Sequence, residues 1–110
     1  MSLNGIWKTE ILTPDGWESM STAFMEDGKY RSGSRYHYAV GTYQISRDRV
    51  KVTAEYVAHG RARAMFGKKA DRMNLEFEGE IGEDQIQGQA TEGEGKHQVT
   101  FRARRLAALQ

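Results

Sequence analysis

Between Tyr36 and His59 the chain alternates apolar and polar residues with a period of two. Val50, Val52, Ala54 and Tyr56 alternate with Lys51, Thr53, Glu55 and Val57. That period marks a strand with one dry face. Upstream, Tyr43 and Ile45 alternate with Thr42 and Gln44, and Ser46-Arg47-Asp48-Arg49 separates the two runs as a polar turn. The pattern predicts a hairpin that pairs Ile45 with Val50 and Tyr43 with Val52. Each cross-strand apolar pair of this kind stabilises a sheet by roughly 0.2–1 kcal/mol. Tyr36, Tyr38 and Val40 have the opposite parity, and Gly41 sits at the switch. The expectation is a bulge at Gly41 that brings both sets onto one face.

The same reading extends along the chain. Gly5 to Leu12 is a strand with Trp7, Thr9 and Ile11 on one face, ended by Thr13-Pro14-Asp15-Gly16. Proline fixes φ and glycine allows φ > 0, so this is a turn. Trp17 to Met25 is a second strand of mixed face, Glu26-Asp27-Gly28 a turn, and Lys29 to Gly33 a short third strand. Arg61 to Phe66 holds helix formers, and Gly67 follows it. A short helical turn or loop is expected near residues 61–67. Arg72 to Ile81 resumes the alternation, with Met73, Leu75, Phe77, Gly79 and Ile81 on one side. Gln85 to Thr91 and Lys96 to Arg105 complete it, with Ile86, Gly88, Ala90, then Val99, Phe101 and Ala103 on the dry side.

Eight sequential strands with short polar turns predict an all-β, eight-stranded antiparallel up-and-down barrel, because closure removes the edge strands. Residues 1–110 form a single domain on this reading. A barrel of this size is just wide enough to fill with side chains or to hold one small ligand.

Composition narrows the chemistry. There is no cysteine, so neither a disulfide framework nor a thiolate site is available. No apolar run approaches the ~18 residues of a membrane span, and Met1 to Gly5 lacks the features of a signal peptide. A cytoplasmic protein with no membrane partner is expected. The formal charge is +1, but its distribution is uneven. Arg61, Arg63, Lys68, Lys69 and Arg72 cluster, whereas the stretch from Glu76 to Glu94 carries acids and no base. Nucleic-acid binding is not expected from a near-neutral chain without a recognised motif. Self-association is.

Asn4-Gly5-Ile6-Trp7 places Gly-x-Trp at the start of the first strand, and Arg102, Arg104 and Arg105 lie in the last. This resembles the lipocalin and avidin-type barrels, in which that Trp closes one end and a late Arg packs on it. A wider string adds Phe24, Glu26-Asp27-Gly28, Tyr36, Tyr38, Gly41-Thr42-Tyr43, Phe66-Gly67, Phe77, Gly79 and Phe101. With Leu3 to Lys8, it resembles the GrlR-like family, named for a negative regulator of type III secretion. The resemblance implies a lipocalin-like barrel, a homodimer and a non-enzymatic, regulatory role. The named regulator binds its partner through an acidic loop of the central hairpin. Here that loop carries Arg47, Asp48 and Arg49, and Ser32-Gly33-Ser34 replaces the family's Gly-Gly-Asp.

Several candidate sites follow. The inward set offers an apolar pocket for a small ligand, lined by Trp7, Tyr43, Phe77 and Phe101 with polar handles at Thr9 and Tyr56. Met20, Met65, Phe66, Val57 and Ile6 do not all fit inside: either Met65 and Phe66 plug the barrel mouth, or they form a partner or dimer surface with Met20 and Phe24, joined by Arg47, Asp48 and Arg49 of the hairpin loop. His37 and His59 become neighbours only if Gly41 hosts the bulge, and two imidazoles fall short of a closed zinc site. Glu76, Glu78 and Glu80 share one environment and read as a solvated face, since catalytic carboxylate pairs need different surroundings. No serine sits in a Gly-x-Ser-x-Gly elbow and no phosphate loop is present. No catalytic residue, metal or cofactor is expected.

Overall fold

The computed structural model describes residues 2–59, 72–92 and 97–108. Eight strands run in order: β1 (Gly5–Thr13), β2 (Gly16–Glu26), β3 (Lys29–Gly33), β4 (His37–Ser46), β5 (Arg49–Ala58), β6 (Arg72–Gly82), β7 (Gln85–Glu92) and β8 (Gln98–Ala108). Each pairs antiparallel with the next, and β8 returns to β1, closing the barrel. No helix occurs among the described residues, and the turn expected near 61–67 lies outside them.

The alternation places the core. Trp7, Thr9, Leu75, Phe77, Ile81, Ile86, Ala90, Phe101 and Ala103 all point inward and are buried. The β4–β5 hairpin has the expected register, with Ile45 opposite Val50 and Tyr43 opposite Val52. At the β2–β3 turn, Asp27 and Gly28 both take positive φ (49° and 83°). That is the two-residue hairpin geometry whose twist matches its strands.

Gly41 corrects the expectation made for it. The β4–β5 register runs without a shift from His37↔Ala58 to Ser46↔Arg49, so there is no bulge there. His37, Ala39 and Tyr43 are buried inside, and Tyr38 and Val40 stand outside. Glycine is required for close approach instead. A Cβ on Gly41 would run into the Thr53 carbonyl oxygen and lie 2.6 Å from Ala54 Cα. Gly88 is equally tight against Gly79 Cα, also at 2.6 Å from a would-be Cβ. Neighbouring strands press together at these points.

The bulges lie elsewhere. Thr9 pairs with Ser21 but Glu10 pairs with Ser19, so Met20 is the extra residue of β2. This explains the mixed face of that strand, since one inserted residue reverses the parity of everything before it. Likewise Ile6 pairs with Ala107 and Trp7 with Arg105, leaving Leu106 over.

One end of the barrel is sealed. Leu3 and Trp7 are buried there, and the Trp7 indole N–H donates to the Leu3 carbonyl at 2.9 Å. The Arg105 guanidinium lies 4.9 Å from the centre of the Trp7 ring. It donates to the carbonyls of Ser2 and Asn4 (3.1 Å each) and to Asp84 Oδ1 (2.9 Å). Asn4 Oδ1 accepts from the Tyr43 hydroxyl (3.2 Å) and from the Asp27 N–H (2.9 Å). Residues 2–4 are thereby strapped across the barrel floor.

Candidate functional site

Two regions carry chemistry: the lumen and the convex wall around β4. Above the floor, Phe77 packs edge-on to Phe101, with ring centres 5.1 Å apart, and Tyr30 and Tyr56 lean on Phe77 at 6.4 and 6.1 Å. These rings leave a void of about 20 Å³, lined by Trp7, Thr9, Met25, Tyr30, Phe77 and Phe101 among others. It holds at most one water, against roughly 300–1,000 Å³ for a drug-sized pocket. Of the six pocket residues expected, Trp7, Thr9, Phe77 and Phe101 line this void. Tyr43 instead directs its hydroxyl to Asn4 at the floor, and Tyr56 lies in a polar layer higher up.

That layer consists of hydroxyls. Thr9 donates to the Ser21 carbonyl (3.2 Å), and the Thr9 and Ser21 hydroxyls meet at 2.6 Å. The Tyr30 and Tyr56 hydroxyls meet at 3.1 Å. Burial pushes both phenols above the ordinary tyrosine range, Tyr56 well above it, with Tyr30 beside it adding to the shift. Ser32 Oγ lies against the phenols, buried at 6% exposure, and makes no hydrogen bond of ordinary geometry. Leaving a buried polar group unmatched costs about 1–3 kcal/mol. Ser21, Ser32 and Tyr30 did not enter the sequence-based pocket, although Tyr30 and Ser32 share a parity opposite to Lys29 and Arg31. At the other end of the barrel from the floor, His37 and Glu92 also turn inward and are buried.

The outer wall is uneven. From β6 to β1 it is mostly polar, though Leu12 on β1 and Leu106 on β8 are exposed. Gln87 on β7 sits between Glu80 and Arg102 in the ladder, and Arg102 pairs with Glu10. That contact is 2.9 Å, and it holds the Glu10 carboxyl below the usual carboxylate range. The Arg102 guanidinium also lies 4.0 Å over the Trp17 ring. Glu76 and Glu78 face Lys51 at 3.5 and 4.0 Å in solvent. Exposed pairs like these contribute little to stability.

The wall from β2 to β5 is different. Phe24 and Val40 are each 48% exposed and Tyr38 is 44% exposed. The register sets Phe24, Arg31, Val40 and Glu55 in one row across β2, β3, β4 and β5. Tyr38 lies two residues along β4 and stacks on His59, with ring centres 6.1 Å apart. Arg72 donates to Glu55 at 3.2 Å, while Arg31 has no ion-pair partner among the described residues.

Phe24 is thus exposed on the outer wall, with Arg31 between it and Val40. Met20 does not join it, because the bulge turns Met20 toward the core, against which it packs. Arg47, Asp48 and Arg49 form an exposed turn at the floor end, with Arg47 at φ 60° and the Asp48 carbonyl accepting from Ile81 N–H. Met65 and Phe66 lie outside the described residues. His37 and His59 are not brought together: without the Gly41 bulge, His37 faces in, and His59 is exposed with Nε2 3.0 Å from the Ser34 carbonyl. Among the described residues, no group of three His, Cys, Asp or Glu could hold a metal ion, and no helix is long and apolar enough to cross a membrane.

No protein-family model matches the chain, and no curated protein matches it.

Proposed function

We propose that this barrel is a non-enzymatic, protein-binding regulatory module of the cytoplasm, resembling the GrlR-like regulators, that works through its outer wall. The observation that carries this reading is the contrast between wall and lumen. Three large apolar side chains, Phe24 on β2 and Tyr38 and Val40 on β4, stand in solvent on either side of β3. The void among Trp7, Phe77 and Phe101 is only about 20 Å³. Exposed apolar side chains grouped on one wall support an interface there. The test is affinity capture from the native cell extract with three baits: wild type, Val40→Asp and Ser32→Ala. A partner held by wild type and Ser32→Ala but lost by Val40→Asp is the expected result. Equal capture by all three would refute the outer wall as the working surface.

A second reading rests on the unmatched Ser32 hydroxyl beside the Tyr30–Tyr56 pair. The Ser32 hydroxyl has no partner of ordinary geometry, and a small ligand with a hydrogen-bonding oxygen would supply one. Native mass spectrometry of protein purified from its own cell tests this, since a ligand adduct lost in Ser32→Ala supports it and a bare mass refutes it.

A further inference from the structure

We propose that the outer face of β7, β8 and β1 binds a small polyhydroxylated anion, a sugar phosphate, with its phosphate group between Lys8 and Arg104. This face lies on a different part of the wall from Phe24, Tyr38 and Val40, and the proposal is independent of the protein-binding reading.

The ladder sets six polar side chains in two rows. Gln85, Arg104 and Lys8 follow one another across β7, β8 and β1 in the first row. Gln87, Arg102 and Glu10 do so in the second. Arg102 leans toward β2: its guanidinium bonds Glu10 on β1 and lies over the Trp17 ring on β2. These six side chains line a hollow of about 440 Å³. A second hollow of about 390 Å³ adjoins it and shares Gln85 and Gln87, with Glu80, Gln89 and Thr100 around the rest. Each volume falls within the roughly 300–1,000 Å³ typical of small-molecule sites.

Charge in the first hollow is unbalanced. Lys8 and Arg104 stand directly opposite each other in the ladder. Like charges so placed destabilise a sheet. Lys8 reaches only the edge of Glu10, at 4.0 Å, and Glu10 is already bonded to Arg102 at 2.9 Å. Arg104 makes no hydrogen bond or ion pair among the described residues. Asp84, next to Gln85 in the chain, is taken up by Arg105. Three cations thus surround one carboxylate, and an anion between Lys8 and Arg104 would relieve their opposition. A phosphate suits that place, because its several acceptor oxygens can meet the guanidinium fork and the ammonium together.

The second hollow has different chemistry. The amides of Gln85 and Gln87 make no hydrogen bond among the described residues, and each can both donate and accept. Glu80, opposite Gln87 in the ladder, only accepts. Hydroxyl groups, which do both, match that set. Glu80 would repel a second anionic group, so the ligand carries its charge at one end and hydroxyls at the other. Neighbouring strands lie about 4.8 Å apart, so the cations of β8 and β1 and the amides of β7 can engage one small molecule at once.

The experiment is isothermal titration calorimetry of the full chain at low salt. The probes are glucose 6-phosphate, fructose 6-phosphate, ribose 5-phosphate, glucose and inorganic phosphate. At least one sugar phosphate should bind with a dissociation constant of about 1 mM or tighter. Inorganic phosphate and glucose should each bind about threefold or more weaker. Arg104→Gln should weaken the sugar phosphate by about tenfold or more, and Gln87→Ala by about threefold or more. Lys29→Gln, which removes the same charge from β3, should bind as wild type does. Without ligand, Arg104→Gln should melt no lower than wild type, because it removes the like-charge opposition. A fall in that midpoint would place Arg104 in the fold rather than in a site. That fall, no sugar phosphate bound at about 10 mM, inorganic phosphate as tight as the sugar phosphates, or equal losses in Arg104→Gln and Lys29→Gln would each overturn the proposal.

Discussion

Replacing Gly41 with alanine tests how this barrel bends. The backbone at Gly41 lies outside the positive-φ region, so alanine is conformationally permitted there. The obstacle is purely one of space. The new methyl would fall on the Thr53 carbonyl oxygen, 2.6 Å from Ala54 Cα and 2.8 Å from Ala54 Cβ. Ordinary carbon contacts lie near 3.5–4.0 Å, so β5 must withdraw from β4 by about 1 Å. Two of the three obstacles are backbone atoms, which no side-chain rotation relieves. Overpacking of this kind costs about 1–3 kcal/mol, or a fall of about 4–12 °C in melting midpoint for a domain of this size. Gly33→Ala is the control, on β3 with open space around it and no positive φ. It should leave the midpoint unchanged or raise it, since alanine restricts the unfolded chain by about 0.4–1 kcal/mol. Thermal melts of both variants by circular dichroism decide the matter. Equal midpoints for Gly41→Ala and Gly33→Ala would refute close approach as the reason for glycine at 41.

The sealed end and the hydroxyl layer yield two more predictions. Trp7→Ala removes a ring that is 1% exposed, together with its hydrogen bond to Leu3, and should cost about 3–5 kcal/mol in urea unfolding; a loss under about 1 kcal/mol would mean the floor is not packed as described. Tyr56 and Tyr30 have raised phenol pKa values, chiefly from burial. Below about pH 10 both phenols are neutral in either state and their stabilisation is fully present. As pH rises further, the unfolded chain ionises them while the folded barrel resists, so stability declines. Tyr56→Phe should flatten that decline by up to about 1.4 kcal/mol per pH unit, and identical alkaline slopes in the two proteins would count against burial of the phenol.

Much of the architecture can be read from residue parity alone. The alternations at Met73–Ile81, Ile86–Ala90 and Val99–Ala103 needed only short polar turns to become neighbouring strands of a barrel. What parity cannot convey is a strand that changes parity midway. A bulge and a change of what faces the solvent leave the same trace in sequence. At Met20 the trace marks a bulge; at Gly41 it marks apolar side chains turned outward. Tyr38 and Val40 therefore read as core from their hydrophobicity, though they stand on the outer wall. The hydroxyl layer was only half legible: Tyr30 and Ser32 share one parity of β3, but the bulge in β2 hides that of Ser21, and the contacts that gather their oxygens depend on how the strands converge across the lumen.

The strap at the floor joins residues about as far apart in the chain as this sequence allows: Arg105 holds the carbonyls of Ser2 and Asn4. During synthesis, β1 leaves the ribosome before the other strands and must wait for β8 before its second edge finds a partner. Until β8 has been made, the nascent cylinder stays open like an unbuttoned cuff, with a bare strand edge available to other nascent chains. Contacts this distant in the chain are thus the ones that end that vulnerability to aggregation.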